Sequence, residues 1–282
     1  MVLSLFSVFK TAQMDEKFKS LTAYIKKLEK VAIAFSGGVD STFLLAVARQ
    51  AVGDDAIGIT IDSPALPRYE LEDARHLAQI IGVKLIIVES NEIEDEVRQN
   101  TVDRCYFCKK IEFGNVIEEA AKNGIKYVLD GSNADDVNDF RPGAKAIDEL
   151  QVHSPLKTHG FTKDEIRKYS KMMGLPTWDK PAYACLFSRI PYGTAIKEED
   201  LVKIEKSEKY LIDKGFRTVR VRCHDKLARI EVAADQRVQI MSEPLASEVS
   251  AALRSFGFDF VTVDMLGYRM GSFNETLGAD LK

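Results

Sequence analysis

Residues 36–42 have the side chains and the backbone freedom of a phosphate-binding loop. In order they are Ser36, Gly37, Gly38, Val39, Asp40, Ser41 and Thr42. The glycines let backbone N–H groups approach an anion closely, and a helix that begins here would add the partial positive charge of its N-terminus. Hydroxyl groups can donate to phosphate oxygens, and Asp40 could help to hold a magnesium ion against them. The alternative is an ordinary glycine-rich turn between a strand and a helix.

A second polar segment follows a predicted strand at 126–131. It contains Asp130, Gly131 and Asn133. Its position after a strand predicts that it closes the same nucleotide pocket. The alternative is a simple turn, because Asp, Asn and Gly favour turns in any protein.

Three of the four cysteines are candidates for sulfur or metal chemistry. Cys105 and Cys108 form a C-x-x-C pair predicted to lie ahead of a helix, and Cys185 follows in a turn-rich segment. A large chain without an export signal favours metal binding or catalysis over a disulfide framework. The hypotheses are a structural zinc site with four ligands, a redox dithiol, and an iron–sulfur cluster held by three thiolates.

The fourth cysteine, Cys223, bears on that choice. It shares one face of a predicted strand with Val219 and Val221, because strand side chains alternate. An apolar face favours a buried packing role for a free cysteine. Three cysteines then remain, which argues against a closed four-thiolate zinc site. Dithiol chemistry is also disfavoured, since the pair lies within a predicted nucleotide-binding unit.

Arginines gather on the other face of the same predicted hairpin. Arg220 and Arg222 alternate with the apolar residues of its first strand, and Arg229 and Glu231 lie on the second. Arginine is suited to bidentate phosphate recognition. This face is therefore a candidate phosphate site, and a solvated polar sheet face is the alternative.

The helix before the hairpin carries a carboxylate within an apolar stripe. Leu201, Ile204, Glu208 and Leu211 follow the 3-4-3 spacing of one helical face. A buried carboxylate needs a partner, and the candidates are an arginine of the hairpin or a metal ion, with Glu231 as a second metal ligand. The alternative is a slight bend that lets Glu208 reach water.

Alternating strands and helices must position these groups. The predicted strands span 31–35, 56–62, 83–89 and 126–131, and the predicted helices include 14–30, 69–81 and 111–124. This alternation predicts an α/β fold with a doubly wound parallel sheet, whose site lies beyond the carboxyl ends of the strands. After a turn-rich segment near Pro181, a smaller C-terminal α+β domain is expected. Its predicted elements are a helix at 197–214, the hairpin, a helix at 241–256 and the strand FDFVTVD.

Composition limits the partners. The chain has 282 residues, a net charge of −4 and a pI of about 5.7. Broad nucleic-acid binders are usually basic, so a nucleic-acid partner is disfavoured. No apolar run reaches transmembrane length, and residues 1–13 lack the features of a secretory signal. We expect a cytoplasmic protein with no membrane partner, in which residues 1–13 are an appendage.

The SGGVDS motif at 36–41 resembles the PP-loop of the N-type ATP pyrophosphatases. Together with KPAYACLFSRIPYG at 180–193 and LGYRMGSFNE at 266–275, it resembles the LarE family of ATP-dependent sulfur transferases from about residue 14 to 277. The resemblance implies an adenine nucleotide α-hydrolase-like fold. Residues 14–180 would form the PP-loop ATP-pyrophosphatase domain, and residues 181–282 would form the substrate-binding domain.

The resemblance also implies a reaction. The substrate would be pyridinium-3,5-biscarboxylic acid mononucleotide, whose carboxylates are adenylated and then attacked by sulfur, in maturation of the lactate racemase nickel-pincer cofactor. ATP and Mg²⁺ would be required, with sulfide or another sulfur donor. A higher homo-oligomer is expected by analogy.

Particular residues take roles from the same resemblance. Cys185 would handle sulfur, and Cys105 and Cys108 would place the chain in a branch that holds a 4Fe–4S cluster with these three cysteines. The resemblance favours Arg220 and Arg222 as ligands of the substrate phosphate, and Arg189 as a residue that orients substrate or ATP.

Three other functions are open. Some tRNA thiolases combine a PP-loop with three cluster cysteines, although the acidic pI weighs against an RNA substrate. An ammonia-using amidating synthetase would not need the three cysteines. A non-enzymatic ATP-binding module would release no pyrophosphate with any carboxylate.

Overall fold

A computed structural model describes residues 15–138, 143–181 and 185–269 and divides the chain into two units. Of the described residues, the first unit takes 15–63, 68–91, 105–138 and 143–181, and the second takes 64–67, 92–104 and 185–269. The strands are β1 (Val31–Ala34), β2 (Ala56–Asp62), β3 (Lys84–Glu89), β4 (Tyr127–Leu129), β5 (Val219–His224), β6 (Leu227–Val232) and β7 (Phe260–Val263). The helices are α1 (Glu16–Lys27), α2 (Val39–Val52), α3 (Arg68–Ile81), α4 (Asp95–Arg98), α5 (Arg104–Lys122), α6 (Gly143–Glu149), α7 (Pro155–Thr158), α8 (Lys163–Met172), α9 (Glu198–Asp213), α10 (Arg237–Ile240) and α11 (Leu245–Ser255).

The first unit is built on a parallel sheet. Its strand order is β3-β2-β1-β4, and β1 pairs in parallel with both β2 and β4. All four predicted strands are present within one or two residues of their expected bounds, because each is a continuous apolar run of the kind that parallel sheets bury on both faces. The predicted doubly wound α/β fold is confirmed.

Apolar side chains cover both faces of this sheet. On one face α1, α2 and α8 pack together around Phe18, Phe43 and Tyr169. On the other, Phe113 and Val116 of α5 belong to a separate apolar cluster. Helix α2 is buried almost all round, with Leu44 and Leu45 fully inaccessible. A helix that is apolar on every face must lie inside the protein, so the residues at its N-terminus are held firmly.

The second unit has a three-stranded mixed sheet in the order β5-β6-β7. Strands β5 and β6 form the predicted antiparallel hairpin, and β7 pairs in parallel with β6. Arg220 lies opposite Glu231 and Arg222 opposite Arg229, so these four side chains share one face. The smaller C-terminal α+β region is therefore as expected.

Cys223 is buried on the apolar face of the hairpin, as predicted. Burial, with the nearby Asp200 carboxylate, raises the pKa of its thiol to about 12. The sulfur is therefore a neutral packing group at physiological pH. A thiol that stays protonated is a poor nucleophile, because the thiolate is the reactive form.

Two helix boundaries differ from the sequence prediction. The helix expected at 241–256 begins only at Leu245, as α11, because Pro244 has no N–H to continue an earlier turn. Helix α5 begins at Arg104, well before the expected residue 111. No helix in the described part of the chain has the length and apolarity needed to cross a membrane.

Asn100 ties residues 92–104 into the second unit. Its buried Nδ2 donates to the carbonyls of Pro191 at 2.8 Å and Thr194 at 2.9 Å, and its Oδ1 accepts from Arg104 Nη1 at 2.6 Å. Its backbone carbonyl accepts from Gly193 N at 2.9 Å. At φ +54° it occupies the left-handed region, which Asn tolerates better than most residues.

We expect Asn100→Ala to lower the free energy of unfolding by about 2–3 kcal/mol, because it removes the hydrogen bonds of a buried side chain and leaves the buried Arg104 without its Asn100 acceptor. Denaturant unfolding measures the change. Asn123→Ala is the matched control, since the Asn123 side chain is only half-buried and bonds Lys84 and Glu119 near the surface. Equal losses in the two variants would contradict this role for Asn100.

Candidate active site

The predicted phosphate loop joins β1 to α2 at the carboxyl edge of the sheet. Ser41 Oγ accepts from the Ser36 N–H at 3.3 Å and lies 3.1 Å from Ser36 Oγ, so the two serines brace the loop across its turn. Gly37 has φ +69°, a conformation in which a side chain would be strained. An ideal Cβ there would also lie 3.4 Å from Ala74 of α3.

Gly38 is the N-cap of α2 and has no side chain with which to cap it. The first N–H groups of a helix have no partner within the helix, and here the cap leaves them for another acceptor. Together with the helix dipole they can accept an anion, at the end of a helix that is buried on almost all sides. The side chain of Thr42 is fully buried one turn into the helix.

The second polar segment lies against this loop. An ideal Cβ at Gly131 would come within 3.0 Å of Ser41 N and 3.2 Å of Asp40 Cβ. Only glycine fits this approach without a shift of backbone, so the structure brings the two sequence-predicted segments together. Asn133 is buried, and its Oδ1 accepts from Asp135 N at 2.9 Å in a local turn.

Asp130 lies at the end of β4, next to Gly131. Its backbone N–H donates to His153 O at 2.9 Å. Burial raises the pKa of its carboxyl group, and hydrogen bonds from Ser132 and Ser154 offset only part of this effect. A cation beside it would favour the ionised form.

Two lysines beside the loop were not singled out from the sequence. Lys163 Nζ donates to Asp40, and the Lys163 N–H donates to Asp135 Oδ2 at 2.8 Å. Lys180 Nζ donates to the Gly37 carbonyl at 3.3 Å. The sequence does contain a signal for the start of the helix that carries Lys163. Thr162 and Glu165 have the spacing of a capping box, which they form at the start of α8.

The cysteines of the C-x-x-C pair lie within α5, which corrects the expectation that they precede a helix. Helix α5 starts at Arg104, whose N–H donates to Thr101 O at 3.0 Å. Cys105 and Cys108 are therefore one turn apart on the first turns of that helix, and both are half-buried. Cys108 Sγ lies 3.5 Å from Glu112 Oε1.

Cys185 belongs to the second unit and begins the short 3-10 turn at Leu186–Arg189. Its thiol is half-buried, and its carbonyl accepts from Ser188 Oγ at 2.8 Å and from Arg189 Nη1 at 2.9 Å. Within the described residues, no three or more His, Cys, Asp or Glu side chains are grouped as a metal site. The cluster therefore stays a prediction.

Arg189 is fully buried and makes a bidentate ion pair with Glu208. Nε donates to Oε1 at 2.9 Å and Nη2 to Oε2 at 2.7 Å. Glu208 also accepts from the Val221 N–H of β5 at 2.9 Å. Burial alone would raise the pKa of Glu208, but Arg189, Arg220 and that N–H outweigh it and lower the pKa. The water-exposed alternative for Glu208 is thus excluded, and the arginine comes from the 3-10 turn instead of the hairpin.

The arginine face of the hairpin is buried, so the solvated-face alternative is wrong. Arg222 Nη1 donates to Ser188 O at 2.9 Å, and Nη2 donates to Glu231 Oε2 at 2.7 Å. Glu231 Oε1 also accepts from Arg229 Nη2 at 3.2 Å. Arg220 lies 5.0 Å from the centre of the Tyr268 ring. Burial and repulsion from Arg189 lower the pKa of Arg220.

This arginine cluster holds more arginines than carboxylates among the described residues. Its members are Arg189, Arg220, Arg222, Arg229, Arg269, Glu208, Glu231 and Asp264. The sequence analysis missed Asp264 and Arg269 as members, and Tyr268 as a neighbour of Arg220, because only the fold returns the chain after β7 to this sheet. The metal roles predicted for Glu208 and Glu231 stay predictions, and both carboxylates are engaged by arginine.

The strand order, the loop after β1 and the polar segment after β4 define the class of protein. It is a PP-loop ATP pyrophosphatase with an adenine nucleotide α-hydrolase-like fold. The family model described as NAD synthase matches residues 13–129. Use of ATP follows from that class.

Relatives that extend over nearly the whole chain narrow the class to one family. An uncharacterized protein of Synechocystis sp. is 40% identical over 94% of this chain and 99% of its own length. Pyridinium-3,5-bisthiocarboxylic acid mononucleotide synthase of Lactiplantibacillus plantarum is 35% identical over 94% and 96%. An uncharacterized protein of Methanocaldococcus jannaschii is 30% identical over 91% and 94%. The chain belongs to the family of this synthase, the LarE family.

We expect Glu208→Gln to destabilise the protein by about 3 kcal/mol at neutral pH, because it leaves the buried Arg189 without its counter-charge. The pKa of Glu208 is lower folded than unfolded, so its stabilisation is present above the unfolded value of about 4.3 and is lost as pH falls through the folded value. The difference in stability between the wild type and the Glu208→Gln variant therefore becomes smaller below about pH 4.

Thermal unfolding of both proteins, from neutral to acidic pH, measures this difference in stability. Glu199→Gln is the control, since Glu199 is exposed on the same helix and should change stability by less than about 0.5 kcal/mol. A gap that stays constant on acidification would show that the charge of Glu208 is not what stabilises the unit.

Proposed function

We propose that this protein uses ATP to convert the carboxylates of pyridinium-3,5-biscarboxylic acid mononucleotide into thiocarboxylates, in maturation of the lactate racemase nickel-pincer cofactor. The 35% identity to the Lactiplantibacillus plantarum synthase, in an alignment that covers 94% of this chain, supports this assignment. The observation that carries the ATP-dependent half is the anion-binding end of α2, which Gly38 leaves uncapped.

Adenylation solves a leaving-group problem. A carboxylate oxygen of the substrate attacks the α-phosphorus of ATP, pyrophosphate leaves, and an acyl-adenylate forms. Hydrosulfide then adds to the acyl carbon and AMP leaves, which gives a thiocarboxylate and one proton. AMP leaves readily, whereas the oxygen of a free carboxylate does not. Charge that develops on the departing pyrophosphate would face the N–H groups of residues 38–41.

Magnesium would act beside this loop. Asp40 is the candidate ligand, because its carboxylate lies in the first turn of α2 and oxygen ligands suit Mg²⁺. Lys163 is paired with the same carboxylate, so the ion would have to share it with the lysine or displace that lysine. The residues present therefore fit a magnesium ion that is bound mainly by phosphate oxygens.

The arginine cluster of the second unit is the proposed site for the substrate phosphate. Arg220 and Arg222 are its main candidates, since their guanidinium groups are already desolvated and oriented by protein contacts. Such preorganisation reduces the cost of binding. Arg189 would contribute indirectly, because it holds the carbonyl of Cys185 and the carboxylate of Glu208.

Cys185 is the proposed sulfur-handling residue. Cys185 directly precedes the 3-10 turn at Leu186–Arg189, and Arg189 donates to its carbonyl, so the backbone position of this half-buried residue is defined. Cys105 and Cys108 would join it in holding a 4Fe–4S cluster, which when bound would supply a replaceable sulfur. Thiolate is the correct ligand type for such a cluster, and Cys223 is not proposed as a ligand because it is buried on the apolar face of the hairpin.

We expect the purified protein to release AMP and pyrophosphate when it is supplied with ATP, Mg²⁺, sulfide and the pyridinium mononucleotide. Nucleotides are separated by chromatography, and the thiocarboxylate is detected by mass spectrometry. Activity should survive ribonuclease treatment, which distinguishes this function from tRNA thiolation. Formation of ADP in place of AMP would contradict the adenylation.

We expect Cys185→Ala, Cys105→Ala and Cys108→Ala each to lower thiocarboxylate formation by at least about 100-fold, on the order of a lost catalytic group. Cys223→Ala is the matched control and should retain activity, because its thiol only packs. Iron and sulfide analysis after anaerobic purification tests the cluster directly.

Two outcomes bear on rival functions. Full activity of the three variants with ammonia would favour an amidating synthetase. Stoichiometric zinc without iron in the wild-type protein would overturn the cluster.

A further inference from the structure

Lys180 is a largely buried cation that contacts the main chain of the phosphate loop. Its Nζ donates to the Gly37 carbonyl at 3.3 Å, to Glu70 Oε2 at 2.9 Å and to Asp73 Oδ2 at 2.9 Å. Only 13% of its side chain is exposed, and that of Glu70 is 5% exposed. Burial of a lysine is costly unless the charge is paired, so this arrangement requires a compensating reason.

The backbone of Lys180 is fixed as firmly as its side chain. Its N–H donates to Thr177 O at 3.0 Å, and its carbonyl accepts from Arg167 Nη2 at 2.8 Å. Arg167 lies on α8, whose first residue Lys163 contacts Asp40 at the other side of the loop. Helix α8 thus positions both lysines: Lys163 belongs to the helix, and Lys180 is held by Arg167 of the same helix.

The contact with Gly37 determines where the next N–H points. A trans peptide is planar, so the carbonyl of Gly37 and the N–H of Gly38 point in opposite directions. Gly37 has no side chain to restrict its backbone, and its φ of +69° lies in a region that glycine leaves easily. A donor on the Gly37 carbonyl therefore holds the Gly38 N–H away from Lys180.

The two carboxylates give Lys180 a second effect. Glu70 and Asp73 lie on α3, and Ala74 of that helix packs against Gly37. Without a cation, these carboxylates would repel a triphosphate bound to the loop. Burial lowers the pKa of Lys180, but Glu70 and Asp73 outweigh it and raise the pKa, so the ammonium is charged at neutral pH.

We propose that Lys180 is a positioning residue of the phosphate loop, which orients the Gly37–Gly38 peptide for the pyrophosphate portion of ATP and neutralises Glu70 and Asp73 behind it. This inference rests on the proposed function, since it assumes that the loop binds the phosphate chain. Lys180 acts on the nucleotide through the loop, and it has no role in recognition of adenosine.

Calorimetric titration of the full chain with ATP, inorganic pyrophosphate and adenosine tests the proposal. We expect Lys180→Met to weaken the binding of ATP and of pyrophosphate by about 10- to 100-fold, the scale of a small misplacement of binding groups. The affinity for adenosine should not change. Lys168→Met is the matched control, because Lys168 is an exposed lysine of α8. It should bind all three ligands as the wild type does.

A purely structural lysine would lower thermal stability without changing the ratio of pyrophosphate to adenosine affinity. Should the methionine variant not fold, Lys180→Arg keeps the charge but places a planar group where a compact ammonium fits, and the same ratio should fall. An unchanged ratio in the variant that folds overturns the proposal. Because no sulfur chemistry is needed, wild-type protein that binds ATP but makes no thiocarboxylate contradicts the proposed function alone.

Discussion

The N-terminus of α2 is the constraint on which the first unit depends. Main-chain N–H groups there are presented to an anion only if the helix is fixed in position and its cap is left open. Burial of Phe43, Leu44 and Leu45 fixes the helix against β1 and its neighbours. Gly38 leaves the cap open. An anion site made of backbone does not need a charged side chain at the point of contact, so the surrounding residues can serve to orient it.

Charge around the two candidate sites is paired in advance. Lys163 and Lys180 are held by carboxylates beside the loop. In the second unit, Arg189 and Arg222 are held by Glu208 and Glu231. A buried charge without a partner would be unstable, and pairing keeps each cation charged and in place before any ligand arrives. Both units therefore hold their cations in fixed positions, as the proposed binding of ATP and a mononucleotide would require.

Sequence reasoning succeeded where signals are local. The apolar runs at β1 to β4 predicted a parallel sheet, and the alternation of Val221 with Arg220 and Arg222 predicted the two faces of the hairpin. It failed at the start of α5, where Arg104 donates to Asn100 Oδ1 nearby and to Phe187 O, which is far away in the sequence. It also left open whether the arginine face is exposed to solvent, since the sequence of a strand does not show which other elements cover its sheet.

The sequence by itself determined the class of protein, because the resemblance to a PP-loop depends on a short continuous segment, SGGVDS at 36–41. It also determined which cysteine packs, through simple alternation on β5. Only the tertiary structure decided that Lys180 lies against Gly37 and that Arg189 pairs with Glu208. Those contacts join positions separated by many residues. Their strength comes from burial, and burial exists only once the chain has folded.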